Sequence, residues 1–329
     1  MKKILLDPFL IKLILVVTLA SILPAYGQPA EWLKWITIFA IALLFFLHGA
    51  RLSREAIVAG MSHWRLHLTI FSVTFVAFPV LALILAPLAE RYLSHEFAMG
   101  LVYLGCLPAT VQSAIAFTSM ARGNVPAAIC SASASNLLGV FLTPVLVGFL
   151  VFGGLQGGHG VSLDTIGKIM LQLLFPFVLG HLLRPKIGAW VTRNNRLLKE
   201  VDQGSILLVV YTAFSDAVIN GLWHNTSFAM LTALVVVCCI LLALVMGVAL
   251  LLGRIMKFSV EDRITLFFAG SKKSLATGIP MANILFAGSA VGAIVLPLMI
   301  FHQIQLMVCA IIASHYSHRP HDATSPTKN

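Results

Sequence analysis

The stretch Gly270-Ser271-Lys272-Lys273-Ser274-Leu275-Ala276-Thr277-Gly278-Ile279-Pro280-Met281 places two adjacent lysines inside a long apolar region. A lysine at the centre of a bilayer costs about 2.5–3.5 kcal/mol, so a pair without a function would be expensive to keep. Gly270, Gly278 and Pro280 surround the pair, and glycine and proline interrupt regular helices. We therefore predict a membrane helix that is broken here, with its lysines at membrane depth. The alternative is a loop at the membrane surface.

The composition of the whole chain is that of a membrane protein. Of the 329 residues, 59% are apolar and 10% are charged, whereas soluble domains are about 25% charged. So few charges cannot cover a soluble body of this length, which excludes an ordinary soluble enzyme, a nucleic-acid-binding protein and a disordered chain. The five cysteines lie in apolar stretches without the spacing of a metal site. We interpret them as core residues and expect neither a structural metal nor a cofactor.

Ten apolar segments are long enough to cross a bilayer as helices, which needs about 20 residues each. Their bounds are 8–24, 32–50, 66–88, 98–121, 125–152, 163–183, 201–223, 226–252, 264–286 and 291–316. We retain the first segment as a span, although it follows Lys2 and Lys3 as a secretory signal would. The sequence thus predicts an all-α polytopic membrane protein with ten transmembrane helices. A single domain is expected over residues 1–329, ending in a loose cytoplasmic tail over 319–329.

Lysine and arginine are distributed unevenly between the loops on the two sides of the membrane. The loops on the side of the N-terminus carry sixteen of these cations, and the opposite loops carry three, Lys34, Arg91 and Lys168. In membrane proteins the excess lies on the cytoplasmic side. We therefore predict a multi-pass protein of the inner (plasma) membrane with both termini in the cytoplasm, which requires an even number of spans.

The two halves of the chain share a pattern around a helix break. Gln112-Ser113-Ala114-Ile115-Ala116 lies 161 residues before Lys273-Ser274-Leu275-Ala276-Thr277. Gly105 and Pro108 precede the first motif, as Gly270 precedes the second. Each half holds five segments, an odd number, so the halves must enter the membrane with opposite topology. The predicted repeats are about 8–152 and 163–316, and inverted repeats with matching interrupted helices are typical of secondary transporters.

Several motifs of the chain resemble the bile acid:sodium symporter family. In the first half they are Leu107-Pro108-Ala109-Thr110-Val111-Gln112-Ser113, Gly123-Asn124-Val125 and Leu142-Thr143-Pro144. The stretch from Gly270 to Met281 is similar to the divergent SBF-like branch of that family. The resemblance implies a panel domain and a core domain, with helices 4 and 9 broken and crossing at mid-membrane. It also implies sodium beside the crossing and a substrate between panel and core.

The residues that bind sodium in the sodium-coupled members are largely missing from this chain. The resemblance assigns to sodium an asparagine, two hydroxyl side chains, a glutamate and a glutamine. The residues at these positions are, respectively, Ala114, Ala128 and Ala132, Phe267 and Ser271. We therefore predict that sodium does not stabilise the protein specifically. A proton-coupled or uncoupled carrier of the same fold is the alternative to a sodium symporter.

We assign the lysine pair, with its neighbours Ser271 and Ser274, to the substrate or ion site. On a regular helix, neighbouring side chains point about 100° apart. Only one of Lys272 and Lys273 is therefore expected to face the crossing, and the other is expected to face the substrate crevice or water. A fixed ammonium at the crossing could support unwound carbonyl groups as sodium does, because such groups need a donor or a cation at membrane depth.

We interpret Asp216 as the only acid inside a segment. Thr212, Asp216 and Asn220 recur every four residues and form a polar stripe on one face of a helix. Asp216 is a candidate proton carrier, substrate contact or counter-charge to a lysine. The alternative is a water-exposed residue near the end of the helix.

Other polar residues inside the segments complete the candidate substrate- and ion-binding set. They are Thr110, Gln112 and Ser113 at the first break, Asn136 on the fifth segment, and His302, Gln303 and Gln305 on the tenth. His302 and Gln305 share a helix face. Asn136 needs partners at membrane depth, so we expect it to bond across helices.

The predicted charge of the central cavity indicates the function. Interrupted helices expose half-helix N-termini, whose free N–H groups favour anions, and the segments carry two central lysines. We therefore predict a secondary active transporter of a small organic anion that works by alternating access. We do not predict an enzyme, because the HExxH, GxSxG and paired-aspartate motifs are absent. The alternative of another class is a membrane regulator without transport activity, for example of calcium homeostasis, since one human relative is linked to calcium regulation.

Overall fold

The structure is a computed structural model that describes residues 8–51, 63–153, 163–287 and 290–319. Every regular element in these ranges is a helix, as the all-α prediction requires. The helices are α1 (Pro8–Ile22), α2 (Gln28–Arg51), α3 (Trp64–Tyr92), α4 (His95–Cys106), α5 (Val111–Met120), α6 (Val125–Leu150), α7 (Leu163–Arg193), α8 (Asn195–Ile219), α9 (Leu222–Asn225), α10 (Phe228–Ile255), α11 (Val260–Gly270), α12 (Leu275–Leu285) and α13 (Val291–Ser317). The predicted cytoplasmic tail lies outside the described residues beyond Arg319.

The apolar surface of the helices identifies a membrane protein. Five helices, α2, α3, α6, α10 and α13, are long and apolar enough to cross a bilayer, and α4 with α5 forms a sixth candidate that is bent by 63°. Large apolar side chains point outward, and Phe39, Leu182, Phe228 and Ile311 are 69%, 69%, 85% and 73% exposed. Exposed apolar surface of this kind needs a lipid environment. The chain is therefore a multi-pass helical membrane protein.

The first helix break separates α4 from α5. Leu107 and Thr110 have extended backbone angles, with ψ of 155° and 129°. Pro108 between them has no N–H to donate and disfavours a helical conformation at the preceding residue. Gly105 lies one residue before the end of α4, where an added Cβ would approach Ala82 Cβ and Pro79 Cα of α3 to 3.0 and 3.1 Å. The predicted break is thus present, and the glycine lets α3 and α4 pack closely.

The second helix break separates α11 from α12. α11 ends at Gly270, and α12 begins at Leu275 after Ser274, whose Oγ accepts a hydrogen bond from Thr277 N at 3.2 Å. A serine in this position stabilises a helix N-terminus. Gly278 and Pro280, which we predicted as break residues, lie inside α12. Gly278 instead serves packing, because an added Cβ would lie 2.6 Å from methyl carbons of Leu107 and Leu298.

α3 contains a π-helical turn over Val73–Ala77. Such turns are rare and occur frequently at functional sites. They interrupt the regular i to i−4 bonding of the backbone and so redirect carbonyl groups. The carbonyl of Thr74, within this turn, points to the second break and accepts a hydrogen bond from its lysine.

The helices α2 and α7 pack against each other by close backbone approach. α2 crosses α7 where Gly49 meets the backbone of Phe177 and Gly180 meets the backbone of Phe46. Any side chain at either glycine would overlap that backbone. The two breaks lie in the buried core of the protein, mainly among α3, α4, α5, α6, α11, α12 and α13.

Candidate substrate and ion site

The two helix breaks lie against each other and are joined by direct hydrogen bonds. Thr110 Oγ1 donates to Lys273 O at 2.8 Å, and Ser274 N donates to Pro108 O at 2.9 Å. Tyr103 of α4 also donates its hydroxyl to Gly278 O of α12 at 2.5 Å. The breaks therefore form a crossing, which we define as residues 107–110 and 271–274.

Lys273 places its ammonium in a cage of backbone carbonyl groups at this crossing. Its Nζ donates to Thr74 O at 2.8 Å, Gly105 O at 2.7 Å and Leu107 O at 2.6 Å. The residue is 0% exposed, and the ring of Phe78 lies 4.2 Å from Nζ. All three N–H bonds of a lysine ammonium are thus used. The cage takes its oxygens from the π-helical turn of α3 and from the end of α4.

The backbone of Lys273 is held by the last helix. Gln305 Oε1 accepts from Lys273 N at 3.0 Å, and Gln305 Nε2 donates to Lys273 O at 3.1 Å. His302 Nδ1 lies 2.8 Å from Gln305 Nε2 and 3.4 Å from Lys273 O. His302 and Gln305 thus share a face, as their spacing predicted. Both contact the second break.

Lys272 is also 0% exposed, which corrects the expectation that one lysine would face a crevice or water. Its Nζ donates to Ser113 O at 3.1 Å and lies 3.7 Å from the ring centre of Phe117 and 5.7 Å from that of Phe268. The expectation was wrong because it assumed a regular helix. Residues 271–274 are unwound, so both side chains turn inward, toward different parts of α4 and α5.

Asn136 of α6 connects both breaks through its amide. Its Nδ2 donates to Ala109 O at 2.7 Å, and its Oδ1 accepts from Thr277 Oγ1 at 2.9 Å. The expected bonding across helices is therefore present. Ser135 Oγ accepts from Ala109 N at 3.0 Å, and Thr143 Oγ1 donates to Cys106 O at 2.8 Å. These bonds satisfy backbone groups that the breaks leave without helical partners.

Sequence reasoning missed three side chains that stabilise the crossing, Tyr103, Thr143 and Thr277. Thr143 lies seven residues after Asn136, on the same face of α6, so its spacing was an available signal. Thr277 lies three residues after Ser274, and the two hydroxyls are 3.0 Å apart. Tyr103 has no comparable pattern, because its acceptor is a backbone carbonyl 175 residues away.

Four other predicted site residues take no part in the hydrogen bonds of the crossing through their side chains. Gln112 is exposed at the start of α5. Ser113 Oγ and Gln303 Oε1 are buried and have no hydrogen-bond partner among the residues that the structure describes. Ser271 Oγ donates to Phe267 O, in the last turn of α11, at 2.6 Å. Ser113 Oγ and Gln303 Oε1 are candidates for contact with a bound solute, because buried polar atoms normally have hydrogen-bond partners.

Asp216 lies apart from the lysines. It is exposed in the last turn of α8, and Asn220 Nδ2 donates to its backbone carbonyl at 2.8 Å. Thr212, one turn earlier, faces α2, with its Oγ1 3.4 Å from Thr37 Oγ1. The interpretation of Asp216 as the only acid in a segment was wrong, because Asp202 also lies in that segment. Asp202 forms an ion pair with Arg51 of α2.

Two lysine side chains meet at the crossing, and no acidic side chain among the described residues pairs with either of them. The recorded partners of both ammonium groups are carbonyl oxygens and aromatic rings. Each of the four ion pairs recorded among the described residues lies elsewhere. The described residues include no group of three His, Cys, Asp or Glu side chains that could hold a metal ion. The site therefore buries two lysine amines among carbonyl oxygens and aromatic rings.

Comparison with known proteins identifies relatives over nearly the whole chain. The sequence profile of the SBF-like CPA transporter family matches residues 7–318. "Uncharacterized protein PA2026" of Pseudomonas aeruginosa is 60% identical, with coverage of 97% of this chain and 95% of the relative. "Putative symporter YfeH" of Escherichia coli K12 is 58% identical, with 94% and 93% covered. "Sodium/bile acid cotransporter 7" of Rattus norvegicus is 29% identical, with 92% and 90% covered.

Proposed function

This chain belongs to the SBF-like CPA transporter family, and we propose that it is a secondary transporter that carries a small organic anion by alternating access. The names of two relatives, a symporter and a sodium/bile acid cotransporter, agree with transport as the activity. The observation that carries the substrate class is the pair of buried lysines at the crossing, neither of which contacts a carboxylate among the described residues.

The helix order supports the proposed ten spans in two inverted repeats. The first half would consist of α1, α2, α3, the broken pair α4–α5, and α6. The second half would consist of α7, α8, α10, the broken pair α11–α12, and α13. The broken pair is the fourth of five spans in each half, which is the arrangement of inverted-repeat transporters. With ten spans, both termini would lie on the same side of the membrane. The excess of lysine and arginine in the loops on that side supports a cytoplasmic location for both termini, in a protein of the inner membrane.

The half-helices at the crossing add to the attraction for anions. α5 begins at Val111 and α12 at Leu275, each immediately after a break. The N-terminus of a helix carries a partial positive charge and free N–H groups, which favour a carboxylate, sulfonate or phosphate. Two ammonium groups and two such helix ends at one place make an organic anion the favoured substrate class.

Sodium coupling is not part of the proposal, because the residues do not fit a sodium site. Ala114, Ala128 and Ala132 are 0% exposed and have no side-chain oxygen to offer. Three backbone carbonyl oxygens in and beside the crossing, those of Thr74, Gly105 and Leu107, are already bonded to Lys273 Nζ. We propose that this tethered ammonium takes the structural role that a soluble cation has in sodium-coupled members of the family.

A proton-coupled carrier is the second candidate, and Lys272 favours it. Its ammonium donates one recorded hydrogen bond, to Ser113 O, whereas the ammonium of Lys273 donates three. An ammonium with incomplete hydrogen bonding in an apolar site is the one that releases its proton at lower cost. A rise of uptake with an imposed proton gradient would select this candidate over uncoupled transport.

Uptake into proteoliposomes tests the proposed function. Organic anions that raise the melting temperature of the purified protein are first selected, and their uptake is then measured against empty liposomes. We expect saturable uptake by the wild type and loss of uptake in Lys272→Met, with Lys199→Met on the exposed surface as the control for loss of one charge. Binding without any uptake would favour a regulator over a carrier.

A further inference from the structure

A cavity of about 220 Å³ lies away from the crossing, between the end of α10, the start of α11 and the end of α13. Its polar lining consists of Arg254, Arg263 and Tyr316, and no acidic side chain of the described residues lines it. The rest of the lining is apolar and includes Leu250, Val260 and Phe267. Two guanidinium groups in a cavity without an acid form a site for an anion, and guanidinium groups match the geometry of phosphate.

Arg263 has a buried N–H donor, at Nε, that is available to a bound anion. Its Nε is buried and has no hydrogen-bond partner in the described part of the chain. Its side-chain stem packs on Gly253 of α10, where an added Cβ would lie 3.0 Å from Arg263 Cγ. The stem therefore has a fixed course, and the guanidinium stays beside the cavity.

The two acids closest in sequence are bonded elsewhere. Glu261 Oε1 accepts from Arg319 Nη2 at 3.3 Å. Asp262 Oδ1 accepts from Asn124 Nδ2 at 2.8 Å. Neither carboxylate forms an ion pair with Arg254 or Arg263 among the described residues, so the positive charge of the cavity is available to a bound anion.

The apolar side of the cavity continues onto the outer surface of α10. Leu250 and Val260 are 38% and 36% exposed, and Leu251 and Ile255 beside them are 56% and 62% exposed. α10 is one of the five apolar helices that are long enough to cross a membrane. A ligand with a phosphate and long acyl chains would place the phosphate on the arginines and the chains along this surface.

We propose that this cavity binds the phosphate of an anionic phospholipid headgroup, with Arg254 and Arg263 as its ligands and the acyl chains along α10. Basic pockets between membrane helices at the cytoplasmic side commonly bind anionic headgroups. The site is independent of the proposed transport function. Phe268 of α11 lines the cavity, and its ring centre lies 5.7 Å from Lys272 Nζ. A lipid bound in the cavity would contact α11 and stabilise this half of the second broken span.

Lipid binding to the purified protein in a neutral detergent tests the proposal. Native mass spectrometry compares phosphatidylglycerol with phosphatidylcholine of the same acyl chains, for the wild type, Arg254→Gln, Arg263→Gln and the control Lys257→Gln. Lys257 lies in the connection between α10 and α11, close in sequence to both arginines, but it does not line the cavity. We expect the wild type to bind phosphatidylglycerol in preference to phosphatidylcholine. Each arginine variant should bind phosphatidylglycerol about tenfold more weakly, because it loses a charged hydrogen bond. Lys257→Gln should bind phosphatidylglycerol as the wild type does.

Three results would overturn the proposal. Equal binding of the two lipids to the wild type would show that no headgroup site exists. Equal weakening by Lys257→Gln would show diffuse attraction to the basic surface instead of a site. A melting-temperature rise with glycerol 3-phosphate as large as that with phosphatidylglycerol would assign the cavity to a soluble phosphate. Arg254 is exposed, so Arg254→Gln keeps the test decisive even if Arg263→Gln fails to fold.

Discussion

Lys272 and Lys273 are adjacent in sequence but have different surroundings at the scale of single residues. Lys273 Nζ has three carbonyl acceptors within 2.8 Å, whereas Lys272 Nζ has one carbonyl at 3.1 Å and an aromatic ring at 3.7 Å. A fully hydrogen-bonded ammonium tolerates burial far better than a partly bonded one. We therefore propose that Lys273 mainly stabilises the crossing and that Lys272 mainly contacts the transported solute.

Lys273→Met is expected to destabilise the protein strongly. The substitution leaves three buried carbonyl groups without a donor, at about 1 kcal/mol or more each. A loss of about 3 kcal/mol corresponds to a melting-temperature decrease on the order of 5–10 °C. Lys273→Arg should not restore stability, because a planar guanidinium does not replace a compact ammonium inside the cage.

Thermal melting of both variants in detergent, with Lys199→Met on the exposed surface as the control, measures this effect. A wild-type melting temperature for Lys273→Met would show that the cage does not depend on the ammonium. It would remove the main argument for a tethered cation.

Asp216→Asn is expected to leave transport and its pH dependence unchanged. The carboxylate is exposed in the last turn of α8, and both lysines have other partners. Uptake measured from pH 5.5 to 8 should therefore coincide for the variant and the wild type. Abolished uptake, or a pH profile that becomes flat, would identify Asp216 as a proton carrier or substrate contact after all.

At the residue scale the sequence predicts that the lysine pair lies at membrane depth, but it does not predict that both side chains turn inward. Apolar residues on both sides indicate membrane depth for Lys272 and Lys273, and both are buried. The direction of each side chain depends on where the helix unwinds, and a helical wheel cannot show that. The ion pair between Arg51 and Asp202 was missed because its partners are 151 residues apart.

At the scale of elements, the crossing depends on side chains of intact helices. Asn136 of α6 bonds to Ala109 in the first break and to Thr277 after the second. Gln305 of α13 bonds to both backbone groups of Lys273. Two unbroken helices therefore fix the relative position of two broken ones.

Asn136→Ala is expected to loosen both breaks. It leaves the carbonyl of Ala109 and the hydroxyl of Thr277 without this partner, which costs about 1–3 kcal/mol for each group that stays unpaired. Hydrogen exchange at the backbone amides of residues 107–110 and 271–274 should increase together. Ser133→Ala, on the same helix, is the control, because no hydrogen bond from Ser133 to the described crossing is recorded.

Faster exchange in one break alone would contradict this role, since the amide would then support only one broken helix. An unchanged melting temperature would show that other polar groups replace Asn136 at the crossing.

The breaks themselves are predictable from local chemistry, and their partners are not. Pro108 and Gly270 mark the two interruptions correctly because each acts on its own backbone. Gly278 and Pro280 were misplaced because glycine and proline also occur inside packed membrane helices, where neighbouring groups compensate. The carbonyl of Thr74 gave no signal, since a π-helical turn in α3 has no distinct residue pattern.

At the scale of the whole molecule, the fold class is predicted mainly from composition and from the charge of the loops. They indicate a multi-pass helical protein, and the apolar surface and the family agree with it. The ten-span inverted arrangement and the orientation remain proposals that the helix order supports. The meeting of two breaks from opposite halves was expected only through the family resemblance, because contacts over more than 160 residues leave no local pattern.

The melting temperature of the wild-type protein in sodium chloride and in choline chloride at equal ionic strength tests the proposal that a tethered lysine replaces a soluble cation at the crossing. A cation that binds the folded protein at a hundredfold excess over its Kd would add about 2.7 kcal/mol of stability, which is a shift of several degrees. We expect the same melting temperature in both salts, because Lys273 Nζ already occupies the carbonyl cage. A sodium-specific rise of several degrees would contradict it.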